Sequence, residues 1–68
     1  MYNLILIATQ TFLGQYASLD SCNKAIRDIY TREVIPYPEL VSKDQMPALI
    51  ETINLLVKDQ RKYVCTKV

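Results

Sequence analysis

Cys22 and Cys65 are the only thiols in this chain of 68 residues. Three readings of the pair stand side by side. A disulfide between them would close a long loop and staple a small domain. Two reduced, buried cysteines would act as small hydrophobes. A reactive thiol is the third reading, because Cys22 falls near the start of a helical segment, where a thiol pKa drops. That third reading lacks a base, since the chain has no histidine.

The carboxylates are Asp20, Asp28, Glu33, Glu39, Asp44, Glu51 and Asp59. General acid/base catalysis needs two of them in one pocket with pKa values pushed apart. Here they alternate with Lys and Arg along helical stretches or stand at helix ends, the pattern of solvated surface charge. Two cysteines without histidine are too few for a structural zinc site. One glycine cannot build a phosphate-cradling loop. The sequence therefore predicts no catalytic residues, no metal and no cofactor. Lys58, Arg61, Lys62 and Lys67, with Tyr63 among them, form the one basic cluster. The net charge is only +1, so nucleic-acid binding, which feeds on a basic excess, is not expected.

The elements that carry these residues follow from periodicity. Tyr2 to Thr9 reads as a strand, apolar on both faces, with Leu4 and Leu6 on one side and Ile5 and Ile7 on the other. Phe12 to Ala17 reads as a second strand, joined through a turn near Thr9-Gln10-Thr11. Ser18 caps a helix that carries Leu19, Cys22, Ile26, Ile29 and Tyr30 on one face and ends by Val34, before Pro36. Asp20–Lys24 and Asp28–Arg32 stand four apart in the favourable order for ion pairs. Pro36-Tyr37-Pro38 is an extended connector. Asp44 is the expected cap of a second helix, whose stripe of Met46, Leu49, Ile50, Ile53, Leu56 and Val57 is expected to form core. Tyr63 to Val68 alternates and closes the sheet.

Residues 1–68 thus form one domain of the α+β class, ββααβ, with an antiparallel sheet in the order 2-1-3. Both helices are expected on one face of the sheet. The other face is then bare, and it carries either Leu4 and Leu6 or Ile5 and Ile7. No charged side chain occurs before Asp20, and a neutral, apolar stretch of that length is buried or offered to a partner. Tyr2, Leu4, Ile5, Leu6, Ile7, Phe12, Tyr16 and the connector residue Tyr37 are the candidate interface, tyrosine being enriched in interface hot spots. The partner is a protein or a second copy of the chain. The apolar run Leu4 to Ala8 is too short for a membrane span, and no Lys or Arg precedes it as in a signal peptide. A cytoplasmic protein is expected.

The segment Tyr16-Ala17-Ser18-Leu19-Asp20-Ser21-Cys22-Asn23-Lys24-Ala25 has the form aromatic-x-Ser-x-x-x-Cys-x-x-Ala. With an apolar strand before it and a Val-Cys strand near the end, it resembles a loose group of small proteins encoded by tailed bacteriophages. The resemblance covers residues 2–26 and 62–68. It implies a small accessory protein that modulates a host protein or, alternatively, a minor head or tail component. Many members look secreted or anchored, so a periplasmic or virion-associated location is the alternative to the cytoplasm. No functional residue is carried over from the group.

Overall fold

The computed structural model describes all residues, Met1–Val68. The chain runs β1 (Tyr2–Leu6), β2 (Thr11–Tyr16), α1 (Leu19–Val34), a 3-10 turn (Pro38–Leu40), α2 (Met46–Asp59) and β3 (Tyr63–Lys67). The three strands form one antiparallel sheet in the order β2-β1-β3. This is the expected α+β architecture. β1 is central, and its unbroken apolar run Leu4 to Ile7 suits the middle of a sheet.

The chain turns earlier than the sequence suggests. β1 ends at Leu6, and the turn spans the next four residues, with the Gln10 amide donating to the Ile7 carbonyl at 3.2 Å. Gln10 adopts φ 53°, a left-handed conformation that strains any residue with a Cβ. Glycine would relieve that strain but loses more chain entropy on folding. We expect Gln10→Gly to stabilise the fold by about 0.5–1 kcal/mol, raising the thermal midpoint by a few degrees in a circular-dichroism melt. A lower midpoint would mean that the Gln10 side chain does more than occupy the turn.

The register slips between Leu4 and Ile5. Leu4 faces Gly14 and Ile5 faces Phe12, so Leu13 is the extra residue of a β-bulge. At Gly14 a side chain would crowd Tyr16. A Cβ on it would come within 3.2 Å of the Tyr16 hydroxyl oxygen, whose ring lies over the glycine.

Ser18 caps α1 as expected, its Oγ accepting from the Ser21 amide at 3.1 Å. The helix stops at Val34, two residues ahead of Pro36. α2 starts one residue later than the Asp44 cap implies. Gln45 holds the cap position without a side-chain hydrogen bond, and Pro47 falls in the first turn. The reason is a preceding turn in which the Gln45 amide donates to the Ser42 carbonyl at 3.1 Å. The chain enters the helix already coiled, and Pro47 needs no intrahelical donor there. α2 ends on Gln60 at φ 48°, a left-handed cap.

α1 lies across the sheet, and α2 packs chiefly against α1. The core consists of Leu4, Cys22, Ile26, Tyr30, Ile35, Ile53, Val57 and Tyr63. The α2 stripe is therefore only partly core. Ile53 and Val57 are buried, Met46, Leu49 and Leu56 are half-buried, and Ile50 is exposed. A helix seated on another helix buries a narrower stripe than one pressed onto a sheet. The two expected ion pairs along α1 do not form. The ion pairs present are Arg61–Asp59 at 2.9 Å and Lys62–Glu33 at 3.3 Å. Exposed pairs worth a few tenths of a kcal/mol do not repay the entropy of ordering both side chains. No helix is long and apolar enough to cross a membrane.

Candidate interaction surface

Alternation along β1 sorts the candidate interface into two sets. Leu4 is 1% exposed and sits in the core. Tyr2, Leu6 and Tyr16 are half-buried and pack against that core. These four face the helices, so they leave the interface. They do so because the helices cover the Leu4 side of the sheet, a choice that a strand apolar on both faces cannot announce.

The opposite side is open. It carries Asn3 and Ile5 from β1, opposite Gln15 and Phe12 of β2 and opposite Thr66 and Val64 of β3. Phe12 is 58% exposed and Ile7, just past the end of β1, is 40% exposed. The bulged Leu13 is also exposed. The face is divided along the strands. At one end Gln15 Nε2 donates to Asn3 Oδ1 at 3.2 Å, and the Thr66 hydroxyl reaches the Asn3 carbonyl at 3.5 Å. At the other end Phe12, Ile5 and Val64 form an apolar row across all three strands. Val64 and Leu13 were not among the expected residues. Val64 is visible in the alternation of the last strand, and Leu13 in the lone glycine beside it, since glycine within a strand often marks a bulge.

Both outer strands, β2 and β3, are sheet edges. β2 carries no charge or proline of the kind that commonly blunts an edge, whereas β3 ends in Lys67, in register with Tyr2 on the helix side of the sheet. Tyr37 is exposed as expected, but it stands in the connector before the 3-10 turn, on a different element from the sheet.

The two cysteines meet. Cys22 in the first turns of α1 and Cys65 in β3 form a disulfide, with Cα atoms 6.1 Å apart. Cys65 lies opposite Leu4 in the sheet register, and Cys22 is fully buried. The bond therefore ties α1 to the sheet at the centre of the core. It also removes the thiol reading, since no free cysteine is left.

Glu33 gathers the other polar contacts of note. Its Oε1 accepts from Lys62 Nζ and from the Tyr63 hydroxyl, each at 3.3 Å. Tyr63 meets Tyr30 edge to face, with ring centroids 5.4 Å apart. The hydrogen bond to Glu33, reinforced by nearby Tyr63, holds the Lys62 ammonium above its usual pKa. Burial, with the Glu33 charge beside it, pushes the Tyr30 hydroxyl up. Lys62 and Arg61 each stand beside a carboxylate in an exposed ion pair.

Comparison with known protein families, curated proteins and solved structures finds no match to the chain.

Proposed function

We propose that the protein is a small non-enzymatic interaction module that docks on a protein partner through the open face of its sheet. The observation that carries this reading is the row Phe12, Ile5 and Val64, continued by Ile7. Its residues are all apolar, and no element of the chain lies over it. Following the resemblance, the protein is phage-encoded and its partner is a host protein whose activity it modulates. Self-association through the same face is the simplest variant of this reading.

The disulfide favours the second reading, a virion component or a protein exposed to the periplasm. Such bonds persist in oxidising compartments and on virions and are rare in a reducing cytoplasm. We therefore place the protein in an oxidising environment rather than in the cytoplasm. A component of the particle would be present in purified virions in fixed proportion, and a host modulator would not.

Phe12→Lys and Ile5→Lys test the surface directly. Phe12 is exposed, so Phe12→Lys should change thermal stability by about 0.5 kcal/mol or less, while Ile5→Lys, at a half-buried position on the same face, should cost more. Affinity capture from the native host, read by mass spectrometry, should lose its stoichiometric partner in both variants. Light scattering should likewise show any dimer of the parent reduced to monomer. A partner retained by both variants would move the interface off the sheet.

A further inference from the structure

The two halves of the Cys22–Cys65 disulfide stand in different surroundings. Cys22 is 0% exposed and belongs to the same core cluster as Leu4 and Ile26. Cys65 is only half-buried. It belongs to β3, which pairs with β1 along one flank and has no strand along the other. Asn23 Oδ1 lies 3.6 Å from Cys65 Sγ, and Gln60 Nε2 donates to that same oxygen at 3.1 Å. Both amide side chains belong to half-buried residues. The Cys65 sulfur therefore abuts the polar margin of the core, whereas Cys22 has no surface at all.

A disulfide opens when a nucleophile attacks one of its sulfurs, and access decides which one. A sulfur enclosed on every side offers no approach, so the fold leaves the Cys65 end as the point of entry. The local charge acts in the same direction. Lys67 stands two residues along β3, on the same side of the sheet as Cys65. It is exposed and takes part in neither ion pair of the protein. A free cation within a Debye length draws anionic nucleophiles toward this end of the bond.

We propose that Cys65 is a modification site at which a small anionic thiol, such as glutathione, opens the disulfide by attack on Cys65 Sγ. The electron pair of the incoming thiolate forms a new S–S bond to Cys65. The bond between Cys65 and Cys22 breaks, and Cys22 leaves with the bonding pair as a thiolate that takes up a proton from solvent. The product carries its adduct on the sheet edge and its free thiol in the core. The disulfide is thus a latch between α1 and β3 that a reducing compartment opens from one side. The inference does not depend on the docking role of the sheet, and its test reads different residues.

Sulfite tests the site on the intact, oxidised protein. It attacks a disulfide as a thiolate does and leaves a stable S-sulfonate on the sulfur it reaches. The native protein is taken to low conversion and quenched with acid. The freed thiol is then alkylated with N-ethylmaleimide in denaturant, and both labels are mapped by peptide mass spectrometry. Molecules with S-sulfonate on Cys65 and maleimide on Cys22 should exceed the reverse pattern by about tenfold or more. In concentrated guanidinium chloride, with unfolding verified by circular dichroism, both sulfurs are reachable and the excess should fall to about twofold or less. Comparable labelling of the two native sulfurs would overturn the proposal, because it would mean that the bond opens only after unfolding. So would S-sulfonate chiefly on Cys22, no native reaction, or an excess that persists in the unfolded chain.

Discussion

Replacing Cys22 and Cys65 together with alanine will lower the stability of this protein by about 4 kcal/mol. The bond spans 43 residues of sequence, and in the chain-entropy description a loop of that length restrains the unfolded chain by about that amount. For a domain of 68 residues the whole folding free energy is only about 3–10 kcal/mol. The double variant should therefore lose from about two fifths to all of its folding free energy. Its thermal midpoint should fall by about 15 °C or more. A reducing agent should act on the parent in the same direction. Small size is the reason for the large effect. Only eight residues are buried, and so thin a core leaves little in reserve once the staple is gone. A drop of less than about 1 kcal/mol, measured by urea denaturation with and without reductant, would show that the helices and sheet hold together without the bond.

Leu4→Ala should cost about 3 kcal/mol, the second-largest effect we expect. Leu4 is 1% exposed and lies in the middle of the central strand, opposite Gly14 on one neighbour and Cys65 on the other. Truncation removes its transfer free energy and leaves a cavity beneath α1, and neither Gly14 nor the disulfide can move in to fill it. Its neighbour is the control. Ile5 points to the open face, so Ile5→Ala should cost about 1 kcal/mol or less in the isolated monomer. The contrast between adjacent residues measures which face of the sheet is covered. Equal losses in the two variants, with parallel denaturation slopes, would mean that something covers the Ile5 face in solution, a second copy of the chain being the nearest candidate.

The same pair shows how far sequence reasoning reaches. Leu4, Ile5, Leu6 and Ile7 read as a strand apolar on both faces, and that made β1 the centre of the sheet. Strand identity rests on a period of two, and helix identity on a period near 3.6. Both are local, so the element order, the Ser18 cap and the end of α1 before Pro36 were all readable from the chain. The order 2-1-3 followed as well, because only one strand needed two neighbours. Which face of β1 the helices cover is not local. It depends on how α1 crosses the sheet, and only the folded structure turned Leu4 inward and left Ile5, Phe12 and Val64 on the face without helices.

Long-range pairing is the other thing the sequence left undecided. Cys22 and Cys65 were compatible with a bridge, with two buried thiols and with a reactive thiol, because spacing in the chain does not report distance in space. Glu33 looked like one more surface carboxylate, yet it collects Lys62 and the Tyr63 hydroxyl from the far end of the chain. The exposure of Ile50 arose in the same way. The stripe on α2 predicted a helix with an apolar face, correctly, but a stripe does not say what it packs against. Packing on α1 rather than on the sheet left Ile50 at the surface. Chain-local rules therefore determined what the elements of this protein are and how the strands are ordered. Tertiary packing decided which apolar side chains remain for a partner, because burial is a property of the whole arrangement and not of any one segment.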